Sequence, residues 1–182
     1  MSLSKYKEGV VSEVGGVAWI ALGSNLDRPL FQLRRAARQL TSLGTLLACS
    51  SLYRTTPVGG PPGQPEFLNG VVSLRLRPSL QQPEALLEVL HEIEKRQGRD
   101  RRIRWAPRSL DLDLLSLDDL VVDGPILWLP HPRMMERAFV LAPLCEISSN
   151  WYHPINHQSA CAALAELSTE GVRRTSLPWY PS

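Results

Sequence analysis

The order of its apolar segments constrains this sequence more than any other feature. Four segments have the apolar content and periodicity of strands, at positions 17–22, 46–53, 67–76 and 110–114. Between them, the leucine spacing after Pro29 and after Pro83 predicts two amphipathic helices that end near Gly44 and Gly98. The order strand–helix–strand, repeated twice, is typical of the α+β class. It predicts a ferredoxin-like βαββαβ sandwich with an antiparallel sheet.

Both helices of such a sandwich cover one face of the sheet, and the sequence indicates which side chains occupy the other face. Alternation along the third and fourth strands places Phe67, Asn69, Asp111 and Asp113 away from the leucines that face the helices. We therefore expect these side chains to share an uncovered face that is free to bind a ligand.

The remaining segments are expected to extend this unit rather than form a second domain. Residues 1–16 lack a sustained period, which predicts a disordered leader before a single domain at 17–182. A stretch rich in proline and glycine over 54–66 predicts a functional loop. After the sandwich we expect C-terminal additions, namely a hairpin over 118–128, a loop and helix over 131–147 and a short helix over 159–167.

Composition excludes several classes of protein. No apolar run approaches the roughly 18 residues needed to span a bilayer. The three cysteines are too few and too scattered for a disulfide framework or a zinc cluster. The formal net charge of +2 is too small for bulk binding to nucleic acid. We expect a soluble cytoplasmic monomer without membrane or nucleic-acid partners.

Most of the basic residues are arginines rather than lysines. Arginine supplies 17 of the 20 basic side chains, and six arginines fall between positions 96 and 108. Because a guanidinium group forms planar, bidentate bonds to phosphate and carboxylate, this cluster indicates one compact anionic ligand. The alternative is a solvated basic loop, which has the same composition.

Two carboxylates follow the arginine cluster. Asp111 and Asp113 are two residues apart on a predicted strand, so they face the same way and can share hard cations such as Mg²⁺ with phosphate oxygens. The alternative is an exposed strand face with solvated aspartates. No G-x-x-x-x-G-K-[ST] motif occurs, so a bound phosphate would depend on arginine and metal rather than on a P-loop. Downstream, His131, Arg133 and Arg137 form a second polar segment.

Five blocks of sequence occur in an order that matches one known family. They are ALGSNL at 21–26, YRT at 53–55, FLN at 67–69, RWAPRSLDLD at 104–113, and PHPRM at 130–134 with the segment that continues to Phe139. Together these blocks resemble the 6-hydroxymethyl-7,8-dihydropterin pyrophosphokinases of the folate pathway. The resemblance covers about 17–147 and implies transfer of pyrophosphate from ATP to the hydroxymethyl oxygen of the pterin, giving AMP and the pterin diphosphate.

The resemblance also implies a role for individual residues. Asp111 and Asp113 match ligands of two Mg²⁺ ions, and Arg99 and Arg108 match catalytic arginines. Matches to ATP contacts are His91, Glu94, Arg101, Arg104, His131 and Arg137. Matches to pterin contacts are Thr55, Val58, Phe67, Asn69, Trp105 and Phe139. Segments around 57–65 and 99–104 correspond to loops that close over the substrates.

Two other functions are compatible with parts of this pattern. A non-enzymatic RNA-binding module uses the same sheet topology, but it calls for aromatic-rich central strands and a broadly basic surface, which this sequence lacks. The other is a different metal-dependent nucleotide transferase. The identity of the nucleotide product, AMP rather than ADP, separates that possibility from a pyrophosphokinase.

Overall fold

The computed structural model describes residues 15–59, 62–99 and 107–180. The predicted leader lies outside these ranges except for Gly15 and Gly16, which are buried against the end of a strand. The strands are β1 (Val17–Ser24), β2 (Gly44–Cys49), β3 (Tyr53–Thr55), β4 (Phe67–Leu76), β5 (Asp111–Leu117), β6 (Val122–Asp123), β7 (Trp128–Leu129) and β8 (Val172–Arg174). The helices are α1 (Pro29–Leu40), α2 (Pro83–Arg96), α3 (Ala138–Ile147) and α4 (Ala160–Ala165).

The main sheet has the predicted ferredoxin-like order. Its strands run β5, β1, β4, β3, β8, with β2 also paired to β4, and every pair is antiparallel. Strands β6 and β7 form the predicted hairpin as a separate two-stranded sheet. Within the described ranges, none of the helices combines the length and the apolar character needed to cross a membrane.

The second predicted strand, over 46–53, is wrong as a single element. The structure divides it into β2 and β3, which pair with successive halves of β4. At the break the Ser50 backbone N–H donates to the Val71 carbonyl at 3.0 Å, while the Val71 N–H donates to the Ser50 side-chain oxygen at 3.0 Å. A hydroxyl thus replaces a carbonyl as the acceptor in the ladder, and the backbone is free to turn before β3 begins.

One face of the sheet packs on α1 and α2, as predicted. Buried side chains of both helices meet those of β1, β4 and β5 in a single apolar cluster. The apolar stripes of the two helices supply Leu33 and Leu40 from α1, and Leu86, Leu90 and Ile93 from α2. The spacing is seven residues, or two turns, in α1 and four and three residues in α2, which places each set on one side of its helix. This spacing is why the sequence predicts both helices.

The opposite face is only partly open, which corrects the expectation of an uncovered face. Helices α3 and α4 pack over its far half, where Val71 of β4 and Leu115 of β5 join a second buried cluster with Val140, Leu144 and Trp151. The physical reason is the composition of α3, which is apolar on nearly all sides and must be buried between the sheet and α4. The other half of this face, which carries Asn69 and Asp111, stays accessible.

The C-terminal segment crosses the sheet and is anchored by Trp179. This side chain is 3% exposed, and its Nε1–H donates to the Ser50 carbonyl at 2.7 Å. It packs over Gly70, where a Cβ atom would lie 3.0 Å from the indole ring. Arg34 of α1 donates to the Pro178 carbonyl at 3.1 Å, so the segment also contacts the helical layer.

We expect Trp179→Ala to lower the free energy of unfolding by about 3 kcal/mol, because it leaves a cavity over Gly70 and an unpaired carbonyl. Trp179→Phe keeps most of the packing and should cost about 1 kcal/mol. Urea denaturation followed by far-UV circular dichroism measures both. A stability of the alanine variant equal to that of the unchanged protein would contradict the anchoring role.

Candidate active site

A cavity of about 500 Å³ opens at the accessible end of the sheet. Antiparallel pairing brings the end of β1 together with the beginnings of β4 and β5, so that Gly23 lies opposite both Asn69 and Asp111. The end of β3 reaches the same place, because Thr55 pairs with Phe67. Residues distant in sequence therefore converge at one end of the strands.

Gly23 makes room for the polar side chains beside it. A Cβ atom at this position would lie 2.6 Å from the Asn69 Oδ1 atom, and so a larger residue would displace that amide. The Asn69 Nδ2 group donates to the Thr55 Oγ1 atom at 2.6 Å, which fixes the orientation of the amide. Besides Asn69, four predicted pterin contacts line the cavity, namely Thr55, Val58, Phe67 and Phe139.

The two predicted metal ligands line the same cavity, and each carboxylate is paired with arginine. Asp111 contacts Arg108 and lies with its Oδ1 atom 2.5 Å from an Arg99 nitrogen. The Asp113 Oδ2 atom lies 3.3 Å from the Arg137 Nη1 atom. The two side chains are 18% and 32% exposed, so both remain accessible from the cavity.

The electrostatics of this pair favour a cation. Burial raises the pKa of Asp113, and the Asp111 carboxylate raises it further against the attraction of His131, Arg137 and Arg99. Burial likewise lowers the pKa of His131, although Asp113 opposes this effect. A divalent ion would relieve the repulsion between the carboxylates, and carboxylate oxygen is the ligand that Mg²⁺ prefers. The donor set therefore fits Mg²⁺ that keeps further oxygen ligands from a substrate or water.

Glu94 lies beneath the cavity rather than in its wall. It is fully buried in α2, and its Oε1 atom accepts a hydrogen bond of 2.7 Å from the Leu112 N–H of β5. The same carboxylate contacts Arg99. Glu94 therefore ties the end of α2 to β5 and holds Arg99 next to Asp111.

A second cavity of about 380 Å³ adjoins the first. The two share the side chains of Arg99, Asp113 and His131. Most of the other lining residues of the second cavity are apolar, and they include Leu87, Leu112, Leu114, Leu127 and Trp128. His91 and His131, both predicted ATP contacts, line it as well. The remaining predicted site residues, Arg101, Arg104 and Trp105, lie outside the described residues.

Asn25 connects three segments around the site. Its N–H donates to the Arg108 carbonyl at 3.0 Å, and its Oδ1 atom accepts from the Arg108 N–H at 2.7 Å. Its Nδ2 group donates to the Pro65 carbonyl at 3.2 Å. Sequence reasoning missed this role, although Asn25 belongs to the first of the blocks that carry the family resemblance.

The C-terminal segment supplies a further wall that the sequence did not predict. Ser168, Glu170, Gly171 and Val172 line the first cavity at the start of β8. The Thr56 N–H donates to the Gly171 carbonyl at 3.1 Å. Gly171 has a φ of 74°, which favours glycine, and a Cβ atom there would lie 2.6 Å from the Thr56 hydroxyl.

Carboxylates paired with guanidinium groups at the junction of two cavities suit a ligand that carries phosphate. The chain matches the model of the 7,8-dihydro-6-hydroxymethylpterin-pyrophosphokinase (HPPK) family over residues 19–149. It belongs to this family and is therefore a diphosphotransferase. The resemblance drawn from the sequence is confirmed.

Relatives and solved structures agree with this assignment. The chain is 42% identical over 157 residues to the 2-amino-4-hydroxy-6-hydroxymethyldihydropteridine pyrophosphokinase of Synechocystis, covering 85% of this chain and 78% of that protein. It is 40% identical over 158 residues to the protein of the same name from Pseudomonas aeruginosa, covering 86% of this chain and 94% of that protein.

A crystal structure of a Plasmodium falciparum HPPK-DHPS triple mutant with pteroate has a TM-score of 0.72 and 14% identity, covering 91% of this chain. At this identity the likeness concerns the fold. The chain spans about half of the length of that structure, since the match covers 48% of it.

We expect Asn25→Ala to lower the free energy of unfolding by about 2 kcal/mol, because the Arg108 N–H and the Pro65 carbonyl lose their partners. Asn156→Ala is a matched control, since this exposed asparagine accepts one bond from the Gln158 N–H and should cost less than about 0.5 kcal/mol. Chemical denaturation of both variants tests the difference. Equal losses would mean that Asn25 does not connect the segments of the site.

Proposed function

We infer that this chain transfers pyrophosphate from ATP to the hydroxymethyl oxygen of 6-hydroxymethyl-7,8-dihydropterin, giving AMP and the pterin diphosphate, a step of folate biosynthesis. Membership of the HPPK family supports the reaction. The observation that carries the assignment of the site is the meeting of two cavities at Arg99, Asp113 and His131. One cavity suits a pterin, the other suits a nucleotide, and charged groups lie where their reacting ends would meet.

We propose that Asp111 and Asp113 hold two Mg²⁺ ions together with phosphate oxygens of ATP. The fit rests on two carboxylates that face one cavity and repel each other there. When bound, Mg²⁺ neutralises phosphate charge and orients the phosphate chain.

The arginines prepare the site for the charge of the triphosphate. Arg99 and Arg108 already lie against Asp111, and Arg137 lies near Asp113. Their guanidinium groups are therefore held at the rim of the phosphate site before ATP arrives. Transfer of a phosphate-containing group needs alignment and stabilisation of developing charge more than a strong base, and fixed guanidinium groups supply both.

The first cavity has the chemistry that a pterin ring requires. Phe67 and Phe139 line it and can offer aromatic faces to the flat heterocycle, while Asn69 and Thr55 offer polar atoms to its edge. The Arg137 guanidinium carbon lies 5.6 Å from the centre of the Phe139 ring. Because Arg137 also reaches Asp113, it connects the proposed pterin and phosphate subsites.

We place the adenine base in the second cavity, where leucine side chains line the wall and His91 and His131 supply polar contacts. Glu94 acts there by holding Arg99 rather than by touching the nucleotide, because its side chain is buried. Val58 would close the pterin side. The proposed roles of Arg101, Arg104 and Trp105, and the closure of the loops around 57–65 and 99–104, remain predictions from the family resemblance.

The RNA-binding alternative finds no support. It needs an open sheet surface with exposed aromatic side chains, whereas α3 and α4 cover the far half of that face in the described part of the chain. We propose that the protein is cytoplasmic, which agrees with the free thiols of Cys49, Cys145 and Cys161. The monomeric state stays a prediction.

The function is tested by incubating the purified protein with Mg²⁺, ATP and the reduced hydroxymethylpterin. We expect AMP and the pterin diphosphate in equal amounts, with no AMP when the pterin is left out. Chromatography of the reaction mixture measures both the AMP and the pterin diphosphate. Formation of ADP, or of AMP that does not require the pterin, would contradict the assignment.

Asp113→Ala should lower kcat by about a hundredfold or more, because the phosphate chain loses a metal ligand in the transition state. Pterin affinity, measured by calorimetry, should remain close to that of the unchanged protein. Asp119→Ala is the control, since this exposed aspartate lies in the turn after β5 and away from both cavities. Normal turnover of the Asp113 variant would show that this carboxylate holds no essential metal.

A further inference from the structure

The carboxylate of Glu146, near the C-terminal end of α3, accepts four hydrogen bonds. Its Oε2 atom accepts from the Ser51 N–H at 3.1 Å and from the Tyr53 hydroxyl at 3.0 Å. Its Oε1 atom accepts from the Ser51 hydroxyl at 2.8 Å and from an Arg174 nitrogen at 2.7 Å. Arg174 also donates to the Ser51 Oγ atom at 3.0 Å, which closes the network. We call Glu146, Ser51, Tyr53 and Arg174 the Glu146 cluster.

The cluster is partly buried and charged. The Glu146 side chain is 22% exposed. Burial raises the pKa of Glu146, but the hydrogen bonds from Ser51, Tyr53 and Arg174 outweigh it and leave the pKa below its ordinary value. For Tyr53, burial and the bond to Glu146 raise the pKa to about 12. At neutral pH the carboxylate is therefore ionised and the phenol is protonated, as the hydrogen bonds require.

The Glu146 cluster joins α3, β3 and β8. Each of these elements has one end in the cluster and lines the first cavity with the opposite end. Helix α3 begins with Ala138 and Phe139, about 10 Å along the helix from Glu146. Strand β3 ends at Thr55, two residues after Tyr53, and β8 begins at Val172, two residues before Arg174. Tyr53 and Arg174 are paired across the two strands, as are Thr55 and Val172.

None of these three elements lines the second cavity among the described residues. Movement of α3 relative to β3 and β8 would therefore change the width of the proposed pterin pocket between Phe139 and Thr55, and leave the proposed base pocket unchanged. Strand β8 pairs with β3 in the described part of the sheet, Arg173 lies 2.5 Å from Glu66, and backbone bonds join Gly171 to Thr56 and Thr175 to Leu52. These contacts hold β8 to the segments around β3 and the start of β4, whereas the bond from Arg174 to Glu146 joins it to α3.

We propose that Glu146 is a positioning residue for the pterin pocket, which sets the distance between the α3 wall and the wall formed by β3 and β8. The inference rests on the proposed function, since it assigns the first cavity to the pterin. It adds a residue that touches no substrate and acts through Thr55, Phe139 and Val172. The bonds of Glu146 suit this role because hydrogen bonds to an ionised carboxylate are stronger than neutral ones, and the bond from Arg174 joins two opposite charges at 2.7 Å.

The test compares steady-state kinetics of the unchanged enzyme and of Glu146→Ala with each substrate varied in turn. We expect the KM for the pterin to rise about tenfold, which corresponds to about 1.4 kcal/mol. The KM for ATP and kcat should stay within about twofold, because the phosphate and base sites do not involve the three elements. Glu146→Gln keeps the shape and part of the hydrogen bonding, and should restore much of the pterin affinity.

Glu92→Ala is the matched control. Glu92 also pairs with an arginine, Arg96, at 3.0 Å on the surface of α2, but outside both cavities. It should leave both KM values unchanged. A merely structural role of Glu146 would lower the melting temperature without separating the two KM values, and that result would overturn the proposal, as would equal rises in both.

Tyr53→Phe keeps the test decisive should Glu146→Ala fail to fold. This variant removes one of the four bonds and preserves the ring, so we expect the same selective rise in the pterin KM on a smaller scale, about twofold to threefold. A pterin KM equal to that of the unchanged enzyme would overturn the proposal. Failure of the proposed function itself is recognised separately, since the unchanged protein would then form no pterin-dependent AMP.

Discussion

The pairing register of β1 between β4 and β5 determines where every charged and polar group of the site lies. Because Gly23 faces Asn69 on one side and Asp111 on the other, a single residue without a side chain separates the amide of Asn69 from the carboxylate of Asp111. A shift of one residue in the pairing of β1 with β5 would turn the carboxylates toward the helices, and the same shift in the pairing of β1 with β4 would turn Asn69 there, where α1 and α2 fill the space with apolar side chains. The buried leucines of β1, β4 and β5 prevent that shift, so the apolar core and the active site depend on the same register.

The charged groups of the site neutralise one another in the absence of a ligand. Arg99 and Arg108 share Asp111, Arg137 lies by Asp113, and Glu94 holds Arg99 from below. Such pairs offset the cost of partial burial and keep the guanidinium groups near the positions where phosphate would bind. Preorganisation of this kind reduces the reorganisation that a transfer reaction requires. A phosphate or a cation that bound at the proposed site would compete with these existing ion pairs.

The parts of this fold that follow from local periodicity could be predicted, and the parts that depend on distant contacts could not. The two amphipathic helices and the alternation of β4 and β5 carry their signal within a few residues. The division between β2 and β3 depends on the Ser50 hydroxyl meeting Val71, and the packing of α3 over the sheet depends on α4. Strand β8 has three residues, too few for a periodic pattern, and forms only because β3 offers an edge. At the candidate site, residue types and spacing predicted the carboxylates and arginines that the structure brings to one cavity, but not Asn25, Gly23 or the wall at Gly171, whose positions depend on the backbone around them.

The anchoring of Trp179 has a consequence for how the protein is made. The indole sits over Gly70 and bonds to Ser50, residues that leave the ribosome more than a hundred positions earlier. Long-range closure of this kind is slow to form and cannot begin before its distant partner exists. During vectorial synthesis the four-stranded unit and its two helices can assemble first, while the edge that later receives β8 stays unpaired. Until β8 and Trp179 have been synthesised, the first cavity lacks its wall at Gly171 and the core lacks one of its buried side chains.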